Sequence, residues 1–376
     1  MNPHEIISIE IIPIELPLIE PFIISYGSVA NVESVLVRMT DRAGNVGWGE
    51  GTPDETVTGE NLATLQHDLT EIGAPGMLGF DARRRDRAMA ELERLLPQRP
   101  TARCAIDIAL HDLAGRKAGI PVWALLGGSK STLQISRVVS MREPERMAAD
   151  ALRHIGDGFT TVKLKVGQKD DVALDIERVR QVRAAVGPDI GIKIDVNQGW
   201  VDAETAVPAM IALQEFAPDY IEQPVSQRDL EGLARARKQS GVRTMVDEAC
   251  HSPADMLKIV QLGAADLVNI KLMKTGGLYP ALAVDAIAQA AGIASQVGTM
   301  VESSIASSAG LHVAASRGNI KTVEMGGPIM LAEDIGNVRD WYKARTISIP
   351  NTPGLGIDVD EERVRRLAIS WTSISA

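Results

Sequence analysis

The sequence predicts an α/β protein: a parallel barrel of alternating strands and helices, preceded by an α+β segment. Three observations carry that prediction. From about residue 133, short apolar runs alternate with helical stretches, the rhythm of β/α units. Three successive runs end in an acid, at Asp195, Glu222 and Asp247, spaced by about 25 residues, which is one strand–helix unit of a (β/α)₈ barrel. Before residue 133, by contrast, the pattern is a strand, a hairpin and then helices.

The first part opens with an alternating strand over 6–16. Residues 35–39 and 46–50 pair as a hairpin around Asp41-Arg42-Ala43-Gly44-Asn45. Residues 81–96 are charged and amphipathic. Ala105, Ile106, Ala109, Leu110 and Leu113 repeat at helical spacing until Gly119-Ile120-Pro121 ends the helix. Gly127-Gly128 begins the passage to the second part. There the expected strands are 133–140, 160–166, 191–196, 219–223, 243–248, 266–272, 292–298 and 321–325, with helices over 170–186, 203–216 and 278–291. Eight strands with intervening helices favour closure over an open doubly wound sheet. The segment 352–376 carries turn residues and a basic helix-like stretch, and is expected to return to the first domain. The division is then 1–128, completed by 352–376, and 129–351.

The chain has 376 residues, 45% hydrophobic and 23% charged, enough for two domains with a sizeable core. A formal charge of -10 argues against nucleic acid and anionic membrane surfaces as partners. Two cysteines make no disulfide framework. The first 17 residues lack a basic leader region, and no apolar run approaches the roughly 20 residues that span a bilayer. A cytoplasmic enzyme fits these features.

Strand parity selects the candidate site. In Lys163-Leu164-Lys165 the two lysines share a face, and if they point into the barrel then Val162 and Leu164 face the helices. Two inward ammonium groups are costly to bury without a purpose. One acid after a strand is commonly a helix cap, but three in successive units suit hard oxygen ligation of Mg²⁺, with Mn²⁺ as a substitute. Glu248 should face away from Asp247, whereas Asn197 shares the parity of Asp195. Lys271 follows the sixth strand, and Lys274 reads as a solvated loop residue. Met300 and Glu302 after strand seven, and Glu324 after strand eight, are candidate pocket residues. The six histidines form no ligand set, Gly127-Gly128-Ser129-Lys130-Ser131 misses the spacing of a phosphate loop, and no Gly-x-Ser-x-Gly elbow is present.

Together these residues resemble the enolase superfamily, in particular the muconate lactonizing enzyme subgroup of the mandelate racemase/muconate lactonizing enzyme family. The resemblance covers nearly the whole chain. It implies a modified (β/α)₇β barrel with an α+β capping domain. Lys163-Leu164-Lys165 matches the family's Lys-x-Lys motif, Asp195, Glu222 and Asp247 its metal ligands, and Lys271 its second base. The implied chemistry is removal of the proton α to a carboxylate, giving an enediolate held by Mg²⁺. Metal and neighbouring cations are then expected to lower the pKa of Lys165, with Lys163 near the substrate carboxylate.

The implied activity is a muconate-type cycloisomerase or a racemase/epimerase on a small carboxylate. A dehydratase of a hydroxy acid or hydroxyproline-like compound is the alternative, and a non-catalytic metal-binding scaffold is the different class. In the family two capping loops read the substrate. Here they correspond to 21–27 and 52–59, with Tyr26 and Thr56 as expected contacts. The second loop is similar to that of dipeptide epimerases, which carry Asp-x-Asp after strand eight to hold an ammonium. This chain has Glu324-Met325-Gly326 there, and with Gly327-Pro328 that end is closer to muconate cycloisomerases. Family members commonly form dimers or octamers, so a homo-oligomer is implied.

Overall fold

A computed structural model describes residues 2–376. The N-terminal sheet contains β1 (Ile6–Ile24), β2 (Gly27–Asp41) and β3 (Val46–Gly51), in the antiparallel order β1-β2-β3. β1 runs well past the expected end at Leu16. Its register with β2 slips between Pro17 and Phe22, where Pro17 and Pro21 offer no N–H to the ladder, and pairing then resumes to the tip at Ile24 and Gly27. The result is a long hairpin whose far end overhangs the barrel.

The helix Pro100–Ala118 lies on this sheet. Its approach is set by glycines with period two on β3: a Cβ at Gly49 would sit 1.9 Å from the carbonyl oxygen of Ala105, and one at Gly47 2.3 Å from that of Ala109. Alanines on the helix meet glycines on the strand, so backbone packs on backbone. Gly119 ends the helix in the left-handed conformation at φ 69°.

The expected strand 133–140 is two strands. β4 (Thr132–Gln134) joins a small antiparallel sheet with β13 (Tyr342–Lys343) and β14 (Thr346–Ser348), while β5 (Arg137–Val139) begins the barrel. The parallel ladder continues through β6 (Thr161–Lys165), β7 (Gly191–Asp195), β8 (Tyr220–Glu222), β9 (Thr244–Val246), β10 (Leu267–Ile270), β11 (Ala294–Val297) and β12 (Ile320–Val323). A parallel bridge from Ile135, just before β5, to Val323 of β12 brings the two ends of the ladder together. A helix of ten or more residues follows each strand from β5 to β11, but only the single turn Gly327–Met330 follows β12. This is the (β/α)₇β arrangement. The last strand, β15 (Thr372–Ser375), pairs antiparallel with β1, Ser8 facing Ser375. Among the described residues no helix is long and apolar enough to cross a membrane.

Candidate active site

Each barrel strand is only three to five residues long, so its C-terminal residue reaches the rim where neighbouring strands meet. Parallel register places Lys165 beside Asp195, and Asp195 beside Glu222. Oxygens of Asp195, Glu222 and Asp247 lie within 4.8 Å of one another, and all three residues are fully buried. Lysines surround them. Lys163 Nζ is 2.9 Å from Asp195 and 2.7 Å from Glu222. Lys165 Nζ donates to Asp195 Oδ2 at 2.7 Å and to Asn197 Oδ1 at 3.0 Å, and stands 5.8 Å from the centre of the Phe22 ring. Lys271 Nζ is 2.8 Å from Asp247.

Lys165 ends the second barrel strand and Lys271 follows the sixth. In a ring of eight they are half a turn apart, with the three acids on the strands between. A cavity of about 430 Å³ opens above them beneath the hairpin.

The electrostatics follow from burial and mutual charge. Burial alone would raise Asp195, but Lys163 and Lys165 bring its carboxyl down to about 2. Glu222 goes the other way: burial, then the neighbouring Asp195 charge, hold it well above the usual carboxylate range. Burial opposes the charge on Lys271, yet Asp247 and Glu248 raise its pKa above the ordinary lysine value.

The acids fit a metal ion. Glu222 Oε2 and Asp247 Oδ2 are buried without a hydrogen-bond partner. Their close neighbours are ammonium groups, Lys163 at 2.7 Å from Glu222 Oε2 and Lys271 at 2.8 Å from Asp247 Oδ2. Three buried carboxylates with oxygens within 4.8 Å of one another, two of them with an oxygen that accepts no hydrogen bond, are the donor set of a hard divalent cation.

Several expectations are corrected here. Lys274 is no solvated loop residue: it lies in the one-turn helix Leu272–Thr275, is wholly buried, and donates to Asp247 Oδ1 at 2.5 Å. Glu248 does not face away. β9 ends at Val246, so strand alternation stops before Glu248, which turns inward and accepts from Asn197 Nδ2 at 3.0 Å. Burial and the charges of Asp247 and Asp195 push its carboxyl up to about 7. Thr56 is exposed and does not line the cavity; its backbone N–H donates to Asp54. Glu302 is buried behind the wall, where it accepts from the backbone N–H of Met300 at 2.8 Å, and Met300 itself lines the cavity. Tyr26, Asn197 and Glu324 line it too.

Two residues escaped sequence reasoning although parity marks them. Asn269 stands two positions before Lys271 and donates from Nδ2 to Glu222 Oε1 at 2.8 Å. Lys193 stands two before Asp195 and binds Glu324, Ser136 and Gln296 beneath the site.

The comparisons with known proteins agree with this geometry. Residues 6–127 match the mandelate racemase/muconate lactonizing enzyme N-terminal domain, and residues 146–363 the enolase C-terminal domain-like family. The chain belongs to the mandelate racemase/muconate lactonizing enzyme family. It is 40% identical to the N-succinyl-L-Arg/Lys racemase of Bacillus cereus over 97% of this chain and 98% of the relative. The crystal structure of that racemase superposes with a TM-score of 0.96, at 39% identity, covering 98% of this chain and 100% of the other. The dipeptide epimerase of Enterococcus faecalis, solved with Mg and L-Leu-L-Tyr, gives 0.90 at 33% identity, covering 94% and 99%. Muconate cycloisomerase 1 of Rhodococcus opacus is 32% identical over 99% of this chain and 100% of the relative. Like these family members, the chain is an isomerase of the enolase superfamily.

Proposed function

We propose that this isomerase is a Mg²⁺-dependent racemase of N-acylated amino acids, with Mn²⁺ as a substitute metal, acting in the cytoplasm. The observation that carries the reading is the placement of Lys165 and Lys271 half a barrel turn apart, with the acids between them. A substrate carboxylate bound toward the acids presents its α-carbon between the two amines. One lysine takes the α-proton and the other returns a proton to the opposite face, which inverts the centre. Asp195, Glu222 and Asp247 would hold the cation, whose charge offsets the negative charge that builds on the carboxylate when the α-proton leaves. Lys163 adds a fixed positive charge beside it, and Phe22 shields Lys165 from water.

Two features bear on the substrate. Both carboxylate oxygens of Glu324 are engaged, by Lys163 at 2.5 Å and by Lys193, Ser136 and Tyr220. No free acid is left after the last strand for an α-ammonium, which favours an acyl group without an ammonium over the aminoacyl group of a dipeptide. The mouth carries Glu15, Glu33, Asp54 and Glu55, none of them ion-paired among the described residues. That rim favours a cationic side chain, in line with the Arg/Lys racemase relative. A homo-oligomer, by analogy with the family, is part of this reading and is to be checked by sedimentation.

The test is solvent-deuterium exchange at the α-carbon of N-succinyl-L- and N-succinyl-D-arginine. Lys165→Ala and Lys271→Ala should each lose exchange on one enantiomer by about 10²–10⁴-fold and keep it on the other. Wild-type exchange of both enantiomers by either variant would remove the two-base assignment.

A further inference from the structure

Beside the active site lies a second cavity of about 450 Å³ that the reaction does not use. Phe22, Val138 and Met330 form the wall between the two and line both. The second cavity sits between the first barrel strand, the helix Pro144–Gly156 and the outer end of the hairpin. Its charged lining is three arginines, Arg137, Arg142 and Arg153, against Glu20, Asp150 and Asp157.

These charges are not evenly matched in space. Glu20, on the hairpin, reaches Arg142 at 3.2 Å and Arg153 at 3.6 Å. Asp150 is held by Arg146 at 3.2 Å and Arg153 at 3.3 Å. Asp157 is exposed, 4.0 Å from His154, whose own pKa burial lowers to about 4. Arg137 alone has neither an ion pair nor a side-chain hydrogen bond among the described residues, and it is partly buried. A guanidinium has five donors and does not lose its proton in a protein, so Arg137, lining the cavity with no protein acceptor, is free to take an anion from solvent.

We propose that this cavity is a binding site for a small oxyanion, a phosphate or carboxylate group, anchored by Arg137. Arg142 and Arg153 supply a second edge of the site, and there the hairpin's own Glu20 competes with the ligand. Planar guanidinium forks suit two-pronged contact with such groups. An occupant touches the same wall that carries Phe22, so it bears on the hairpin that covers the lysines. Nothing in the proposed racemisation requires it, and it stands if that reading falls.

The experiment is calorimetric titration of the full chain with inorganic phosphate, in chelator, against chloride at matched ionic strength. Saturable binding is expected in the wild type. Arg137→Gln should weaken it by about tenfold to a hundredfold, the loss of a charge-assisted contact. Arg137→Lys, which keeps the charge and guards against a folding artefact, should retain part of the affinity. Glu20→Gln should tighten it by removing the internal competitor. Phosphate acting no differently from chloride would overturn the site, and so would an Arg137→Gln protein that titrates like the wild type. The latter would place any bound phosphate at the active-site lysines instead.

Discussion

The ammonium of Lys274 lies 2.5 Å from Oδ1 of Asp247, and neither group is exposed to solvent. The same nitrogen also donates to the backbone carbonyl oxygens of Asp247 and Asn269. One lysine thus fixes both the carboxylate and the chain that carries it. Lys274→Met removes this partner and leaves Asp247 with Lys271. The expected cost is on the order of 3 kcal/mol, the scale for stranding a buried charge. Urea denaturation measures it, and a variant as stable as the wild type would show that Lys271 alone satisfies the acid.

Removal of metal should lower stability, because a cation that binds the folded acids and not the unfolded chain stabilises by mass action. At a concentration of about 100 times Kd the gain is about 2.7 kcal/mol. Thermal melts with Mg²⁺ and with chelator should therefore differ, and Glu222→Gln should abolish the difference. Identical melts in the wild type would argue against the triad as a metal site.

The sheet-on-helix contact at Gly49 leaves no room for a methyl group. Gly49→Ala drives a Cβ to 1.9 Å from Ala105 O, both sides being backbone, so the sheet must move. A loss of about 1–3 kcal/mol is expected. Gly156→Ala is the contrast: nothing lies within 4 Å of its Cβ and its φ is ordinary, so stability should hold or rise slightly. Equal melting temperatures for the two variants would contradict the packing argument.

His312 should make stability depend on pH. Nδ1 accepts from the backbone N–H of Trp123 at 3.1 Å, and Nε2 meets Leu355 O at 2.9 Å, which fixes the neutral tautomer with hydrogen on Nε2. Burial lowers its pKa from 6.5 to about 4. Above pH 7 both folded and unfolded forms are neutral and nothing is lost. As pH falls from 6.5 toward 4 the unfolded chain takes the proton first, and stability declines by up to about 3 kcal/mol. His312→Gln cannot titrate and should show a shallower decline in urea midpoint over that window. An unchanged slope would assign the acid sensitivity to other groups.

Much of the site was legible because strand alternation is a local property. Lys163 and Lys165 share a face, and Asp195, Glu222 and Asp247 stand at a strand end or one residue past it, so their convergence needed only the barrel. Parity also pointed to Asn269 and Lys193, though neither was marked. It failed where strands stop. Glu248 lies beyond the end of β9, and Lys274 on a one-turn helix, so the period of two no longer applied to either. The single expected strand over 133–140 failed for a related reason: one apolar run served two different sheets, a choice made by partners far away in sequence at Thr346–Ser348 and nearby at β6.

By itself, then, the amino-acid sequence determined the alternation of strands and helices and the acids and amines at strand ends, because periodicity and residue chemistry are written along the chain. Only the tertiary structure decided which charges neutralise one another, where the hairpin's far end rests, and that Arg137 faces a second cavity unpaired. Those outcomes depend on distances between residues far apart in the chain, which closure of the barrel sets and no local pattern encodes.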